Sequence, residues 1–228
     1  MLDLIIRNPF FCTFLTLASF ELAREIQKKG KSPLLNPILF GTIFVGIFLK
    51  LFGMEVQDYQ AGCATLQFFL TPATICFSIG LYEQIGKLKK HLAAIVIGVF
   101  SGTLVSLLSI RTMASAFGLD RVLTISLLPK SITSAIGMVL SQEAGGIAAL
   151  TTAAIIITGI LGNIFGPALC KLLRITEPIA QGAAFGTASH AIGTGKAIEI
   201  SELTGAVSSL SLTLAGLITV VLFSFFQP

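Results

Sequence analysis

The sequence predicts an all-α integral membrane protein: a multi-span helical bundle with two or three interrupted or re-entrant segments. Three observations indicate this fold, and the first is composition. Hydrophobic residues make up 54% of the 228 residues and charged residues 11%, whereas about a quarter of a soluble domain is charged. The second is that most of the 22 glycines and 8 prolines fall inside apolar runs, as is common in membrane helices.

The third observation is the length of those runs, because a helix needs about 20 apolar residues to cross a bilayer core. The predicted spans lie near residues 9–23, 34–52, 62–82, 92–117, 147–173 and 203–226. Two further segments, near 122–140 and 179–198, are interrupted by polar residues, and Thr71-Pro72 breaks the third run. We expect residues 1–228 to form a single polytopic membrane domain.

The net charge of +4 is modest, and the basic residues lie between apolar runs rather than on one face. They indicate topology rather than a nucleic-acid surface, so no nucleic-acid partner is expected. By the positive-inside rule, the loops after the first and third runs are cytoplasmic and both termini are outside. The four cysteines lack metal or disulfide spacing, so we expect no metal and no other cofactor.

The two interrupted segments leave two topologies open. If residues 122–140 cross the membrane, Lys171 and Arg174 lie outside; if this segment dips in and returns, both are cytoplasmic, as the positive-inside rule favours. The same logic makes residues 179–198 a second dip, from the cytoplasmic side. Both schemes leave the C-terminus outside. We favour two opposed dips, which would bring both polar tips near the midplane.

An internal match supports pairing the two segments. The stretch SITSAIG at residues 131–137 resembles TASHAIG at residues 187–193, and transport folds are often built from repeats with broken helices at corresponding positions. Glycines with GxxxG spacing also predict close helix packing. These pairs are Gly98/Gly102, Gly162/Gly166 and Gly182/Gly186, of which we assign the first two to packing alone.

The first segment has the chemistry of an anion site. Pro129 removes a backbone donor and disfavours helix at Leu128. A half-helix beginning near Ser131 would direct its free N–H groups and positive dipole end into the break. Lys130 adds a full positive charge, and the hydroxyls that follow are Ser131, Thr133 and Ser134. The alternative is that Lys130 reaches to the membrane interface.

The second segment adds a histidine to a set of hydroxyls. His190 is expected to contact a carboxylate or to exchange a proton at physiological pH; the alternative is a hydrogen bond to a neighbouring helix. The nearby hydroxyls are Thr187, Ser189 and Thr194, and further gate or proton-coupling candidates are Glu83 and Glu199. Together the two segments predict a site for a small organic anion.

Other polar residues in the apolar runs are assigned structural roles. We interpret Asn163 as an interhelical hydrogen bond, and Asn36-Pro37 as a helix start. The sequence has no GxSxG, HExxH or P-loop motif and no paired carboxylates within a span. An enzymatic activity is therefore not expected.

Several motifs resemble the LrgB/CidB family. They are Leu34-Leu35-Asn36-Pro37, Leu81-Tyr82-Glu83-Gln84, Leu128-Pro129-Lys130-Ser131-Ile132-Thr133, Gly159-Ile160-Leu161-Gly162 and the stretch GTASHAIGT at residues 186–194. The resemblance runs from about Leu34 to the C-terminus. It implies a bacterial cell membrane and a separately encoded, small membrane partner of the LrgA/CidA type. We also expect contact with the lipid bilayer and a homo-oligomer.

The resemblance implies two different functions. Members are described as antiholin-like, acting in control of murein hydrolase activity and lysis. Other relatives resemble carriers of pyruvate, and a plastid relative exchanges glycolate and glycerate. We predict a carrier of small monocarboxylates, because buried cationic groups suit a carboxylate site better than a holin-type pore. The alternative is an antiholin-like regulator or a pore component.

Overall fold

The computed structural model describes residues 8–30, 35–69, 72, 75–76, 79 and 82–227. Every regular element in these residues is a helix, which confirms the predicted all-α class. Backbone contacts divide the chain into two compact units, Met1–Cys76 and Phe77–Pro228. The expectation of a single domain over residues 1–228 stays a prediction.

The first unit contains four described helices: α1 (Pro9–Gly30), α2 (Pro37–Phe52), α3 (Val56–Gly62) and α4 (Ala64–Phe68). The predicted helix start at Asn36 is confirmed. Its side chain accepts hydrogen bonds from the backbone N–H groups of Ile38 and Leu39, at 2.9 and 3.2 Å, while Pro37 occupies the first turn. These bonds satisfy donors that the helix itself leaves free.

The predicted spans of the first unit differ from the observed helices. Helix α1 is not among the described helices that are long and apolar enough to cross a membrane, because its second half carries charged residues paired on its surface, Arg24 with Glu21 and Lys28 with Glu25. Helices α2 and α3 qualify together as one broken span, bent by 119°. Part of the predicted span at residues 62–82, including Thr71, lies outside the described residues.

The second unit contains α5 (Ile85–Ala116), α6 (Arg121–Leu127), α7 (Ser134–Glu143), α8 (Ala148–Leu172), α9 (Pro178–Ile200) and α10 (Glu202–Phe226). Helices α5, α8 and α10 are long and apolar enough to span a membrane. The ends of α8 and α10 match the prediction. Helix α5 begins at Ile85 rather than near residue 92, because the basic stretch before the apolar run is also helical.

Helices α6 and α7 form a helical hairpin. The backbone N–H of Ile147, which follows α7, donates a 2.8 Å hydrogen bond to Ser126 Oγ in α6. A straight helical path would separate residues 126 and 147 by about 30 Å. The chain leaves the helical conformation over residues 128–133, and α7 brings it back to the end of the unit where α6 begins. The favoured dip of residues 122–140 into the membrane stays a prediction.

Helix α9 folds back on itself in the same way. His190 has φ 42° and ψ −137°, a conformation outside the helical region, and it divides α9 into residues 178–189 and 191–200. Phe185 and Ala197 belong to one buried cluster, although twelve helical residues would span about 18 Å. Thr194 bonds Ser208 of α10 while Gly186 also packs on Ser208, so both halves lie beside the same part of α10.

The two hairpins start from opposite ends of the second unit. Arg111, near the end of α5, donates hydrogen bonds of 2.8 and 2.7 Å to the carbonyls of Phe226 and Gln227 at the end of α10, so both helices end at one face. The α6–α7 hairpin starts and returns there. Helix α8 then runs to the other end of this unit, and α9 begins and ends there. Lys171 therefore lies at the same end of the unit as the basic start of α5.

The sequence match between the two segments corresponds to a similarity in structure. Aligning residues 131–137 with 187–193 places Ser134, the first residue of α7, on His190, where α9 breaks. Gly137 aligns with Gly193, and a Cβ at either would crowd its neighbours, Ile155 Cδ1 at 2.6 Å and Phe185 O at 2.8 Å. The two hairpins thus resume helix at nearly the same aligned position.

Glycines let the broken α9 fit between α8 and α10. A Cβ at Gly162 of α8 would overlap the Ser189 hydroxyl, and one at Gly186 of α9 would overlap the Ser208 carbonyl oxygen. Gly166 and Gly182 are similarly crowded. The predicted close packing is wrong for Gly98, because a Cβ at that position would have no neighbour within 4 Å. The absence of a side chain at Gly98 leaves open space beside α5 instead.

Replacing Gly186 by alanine should destabilise the protein by about 1–3 kcal/mol, because the added methyl group overlaps backbone that cannot move aside. Gly195→Ala in the same helix is the matched control, since a Cβ there meets nothing within 4 Å. Thermal unfolding in detergent should show a lower Tm for Gly186→Ala and an unchanged or higher Tm for Gly195→Ala. Equal shifts would contradict the packing described for α9.

Cysteine accessibility tests the two dips in a chain whose four native cysteines are replaced. Single cysteines at Arg121 and Gln142, both exposed, should react with a membrane-impermeant maleimide from the same side of a vesicle. Cysteines at Glu177 and Glu202 should both react from the opposite side. If Arg121 and Gln142 label from different sides, residues 122–140 cross the membrane.

Candidate functional site

A groove of about 860 Å³ runs along the second unit between α5 and the first half of α9. Small residues form much of its walls and leave the space open. They include Ala94, Gly98, Ser101 and Gly102 on α5, and Ala180, Ala183, Ala184 and Ala188 on α9. Lys130 and Ser131, from the break between α6 and α7, also line it. The tip of the first hairpin therefore meets the first half of the second at this groove.

Lys130 is the charged group that the first hairpin contributes to the groove. It is half-buried, and its Nζ donates a 3.0 Å hydrogen bond to Ser131 Oγ, which pairs with Ser106 Oγ of α5 at 3.1 Å. Within the described residues no carboxylate pairs with it; the three ion pairs there involve Arg24, Lys28 and Lys196. A cation held without a counter-ion in a low-dielectric setting attracts an anion strongly.

The other end of the groove has a different chemistry. His91, near the start of α5, and Glu177, at the N-cap of α9, line it and are both exposed. These residues lie at the face where α5 begins and α9 enters. The groove thus extends from these exposed polar side chains, past a lining of small side chains, to the ammonium and hydroxyl groups of Lys130 and Ser131.

The structure brings three of the eight predicted binding residues together. Lys130, Ser131 and Thr187 line the groove. Gly102 lets α9 approach α5 at this point, because a Cβ there would lie 3.0 Å from Thr187 Cγ2. The other five predicted residues do not line the groove; they are Thr133, Ser134, Ser189, His190 and Thr194.

The half-helix of the first segment begins later than predicted. Helix α7 starts at Ser134, with Thr133 as its N-cap in an extended conformation, and not near Ser131. The Thr133 side chain makes no capping hydrogen bond. Pro129 supplies no backbone N–H that could continue α6. Residues 130–133 form turns instead, in which Lys130 N–H donates to the Leu127 carbonyl at 3.2 Å and Ile132 N–H donates to the Pro129 carbonyl at 3.3 Å. Ser131 is therefore a residue of the break itself.

His190 lies at the tip of the second hairpin, where the chain reverses. Its Nε2 is 2.9 Å from the carbonyl oxygen of Ile155, and the ring is buried against Gly159 of α8. The predicted alternative, a histidine hydrogen-bonded to a neighbouring helix, describes this contact. A positive φ is costly for a residue with a side chain, so the contacts of His190 must hold the turn.

The remaining polar groups of the second hairpin secure its tip. The predicted interhelical bond of Asn163 is confirmed: its Nδ2 donates to the Ile192 carbonyl at 3.1 Å. Thr194 Oγ1 donates to the His190 carbonyl at 2.9 Å and pairs with Ser208 Oγ at 2.8 Å. These bonds tie the residues at the break to α8 and α10.

Neither predicted gate carboxylate lines the groove. Glu83 is exposed before α5 begins, and Glu199 forms a 2.7 Å ion pair with Lys196 in the last turns of α9. The sequence interpretation missed Ser106, Ser101, His91 and Glu177. A signal for two of them was present: Gly98, Ser101, Gly102 and Ser106 recur at helical spacing within an apolar run, which places them on one face of α5.

Comparisons with known proteins agree on one family. The LrgB-like family model matches residues 16–228. Proteins named antiholin-like protein LrgB from Bacillus mycoides and Bacillus cereus are each 36% identical over 222 residues, which is 97% of this chain and 96% of the relative. No solved structure matches the chain.

Proposed function

Because the chain belongs to the LrgB-like family, we propose that it is a bacterial cell-membrane carrier of small monocarboxylates of the pyruvate and glycolate class. It would act with a small membrane protein of the LrgA type. The proposal includes a non-enzymatic role and a homo-oligomeric assembly. Its multi-pass membrane character rests on α5, α8 and α10, which are long and apolar enough to span.

The observation that carries the proposal is Lys130 at the groove. The ammonium group is half-buried, has a serine hydroxyl as its hydrogen-bond partner, and has no carboxylate partner among the described residues. Leaving a cation uncompensated at membrane depth is costly. A transported carboxylate would supply the missing negative charge during each cycle, which gives the cation a function that packing does not.

The neighbouring groups fit the remainder of a small carboxylate. Ser131 and Thr187 place hydroxyls on the same groove as Lys130, and hydroxyls donate to or accept from an adjacent carbonyl or hydroxyl oxygen. The rest of the groove is lined mainly by small and apolar side chains. Such a site would hold an anion with few carbon atoms without binding it too tightly to release.

The opposed hairpins support alternating access. Each inserts a broken helix from one face, and their meeting point lies between the spanning helices α5 and α10. The groove runs from this point toward the face that carries His91, Glu177 and the basic start of α5. We assign that face to the cytoplasm by the positive-inside rule, with the C-terminus outside. Movement of one hairpin would open the Lys130 site to the other face.

A second candidate function rests on the relatives. The Bacillus proteins that match this chain are named antiholin-like, which accords with a regulator of murein hydrolase export and lysis, and their names do not mention transport. The two functions are compatible if altered carboxylate or proton balance triggers the lysis response. A direct pore would be different, because it needs no selective cationic site.

Uptake into proteoliposomes separates these functions. The purified full chain, with and without an LrgA-type partner, is tested with labelled pyruvate, glycolate and lactate, while an entrapped dye reports leakage. Saturable uptake of a carboxylate without dye release supports the carrier. Dye release without carboxylate selectivity supports a pore, and the absence of both leaves the antiholin-like role as the better proposal.

Lys130→Gln should reduce carboxylate uptake at least about tenfold, since one charged hydrogen bond is worth roughly 1.5–3 kcal/mol. The protein should still fold, because glutamine keeps most of the side chain's length and a hydrogen-bond donor. Lys196→Gln is the control: it removes the same charge from a lysine that pairs with Glu199 away from the groove. Uptake that is equal in the two variants would remove Lys130 from the site.

His190→Gln tests whether the histidine couples transport to protons. We expect a Tm lower by about 2–4 °C, since the variant disturbs the contact with the Ile155 carbonyl, and an unchanged pH profile of uptake. The profile is measured between pH 5 and pH 8, where an unperturbed histidine titrates. A flattened profile would instead assign proton coupling to His190.

A further inference from the structure

A small enclosed cavity of about 10 Å³ lies where the two hairpins meet. Hydroxyl side chains from four parts of the second unit line it. They are Thr103 and Ser106 of α5, Ser131 of the first break, Thr187 of α9 and Thr219 of α10. Ser106, Ser131 and Thr187 also line the groove, so the cavity lies directly behind the groove wall that carries Lys130.

Two of these hydroxyls are buried without a hydrogen-bond partner among the described residues. Thr103 is 4% exposed and Thr187 is 8% exposed, and the Oγ1 atoms of both are fully enclosed. Other helical threonines in the unit bond the carbonyl four residues earlier: Thr112 to Leu108 at 2.8 Å and Thr152 to Ala148 at 2.9 Å. Thr103 and Thr187 do not make that local bond. Because both side chains line the same cavity, the geometry points to a hydrogen-bond partner that they share inside it.

We propose that this cavity is a binding site for one ordered water molecule, which joins Thr103 and Thr187 to the Ser106–Ser131–Lys130 chain. Its volume matches the roughly 10–15 Å³ that a single water needs, and a buried water typically makes two to four hydrogen bonds. The water would connect α5, α9 and the first break. It would thereby hold Ser131, the acceptor of the Lys130 ammonium, in position.

The chemistry of the cavity favours water over an ion. No carboxylate lines it, and Lys130 Nζ lies 3.0 Å from Ser131 Oγ. A second cation at this point would be repelled by the ammonium through a low-dielectric medium. A carboxylate anion is too large for a space of this volume. The site is independent of the proposed function, since it follows from hydroxyl groups and burial alone.

The sign of a stability change tests the proposal. Thr103→Val keeps the shape of the side chain and removes the hydroxyl. If the cavity holds water, the variant loses a hydrogen bond and its Tm falls by roughly 2–4 °C. If the cavity is dry, the variant removes an unsatisfied polar group and its Tm stays the same or rises. The second result would overturn the proposal.

A matched control comes from Ser211 of α10. Its Oγ is also buried without a partner among the described residues, but it does not line the cavity. Ser211→Ala should therefore leave Tm unchanged or raise it, the opposite direction from Thr103→Val.

A double-mutant cycle tests whether the two threonines share one water. Once Thr103→Val has displaced it, Thr187→Val should cost little more, so the shifts in Tm should be clearly less than additive. Fully additive shifts would overturn a shared water. The same measurements in sodium and choline chloride identify the occupant: equal Tm values support water, and a sodium-specific rise that disappears in Thr103→Val would assign a cation instead.

Discussion

The structure depends on one constraint: backbone that is not helical cannot face lipid, because its free N–H and C=O groups would have no partners. The second unit contains two breaks of this kind, at residues 128–133 and at His190. Each is enclosed by long helices and secured by side chains, Asn163 and Thr194 at the second break. Enclosing the breaks brings the hairpin tips toward a common point, and the groove lies beside that point.

The enclosure requires unusually close packing. Glycines of α8 accommodate Ser189 and His190, and glycines of α9 accommodate the backbone of α10. The tip of the second hairpin therefore has little room to move, and its residues are neighbours in the GTASHAIGT motif. His190 Nε2 lies 2.9 Å from the Ile155 carbonyl oxygen at the reversal, whereas the polar groups that line the groove include Lys130 and Ser131 of the first hairpin and Thr187 of the second. Both hairpins therefore contribute polar groups to the groove.

Much of this arrangement is visible in the sequence. Pro129 predicts the first break, the glycines around His190 predict the second, and the basic residues at Lys171 and Arg174 favour two opposed dips over a crossing. These features act locally or through total charge, so a single sequence reveals them. The start of α7 at Ser134 was harder to predict, because it depends on how the second half of the hairpin packs against its neighbours.

The residues that line the groove were harder still to predict. Ser106 shares a helix face with Gly98, Ser101 and Gly102, but a hydroxyl residue in an apolar run can equally bond its own helix. Which face of α5 meets α9 depends on the close approach at Gly102, a contact between residues far apart in the chain. His91 and Glu177 were missed for the same reason.

The central claim is that Lys130 is the cationic partner of a small carboxylate. The most direct measurement is a magnetic-resonance distance in lipid, between isotope-labelled lysine side-chain nitrogens and the labelled carboxyl carbon of pyruvate or glycolate. Dipolar coupling that shows direct contact, and that is absent in Lys130→Gln, is the predicted result. A carboxylate that binds saturably without coupling to any lysine nitrogen, or whose coupling persists in Lys130→Gln, would contradict it.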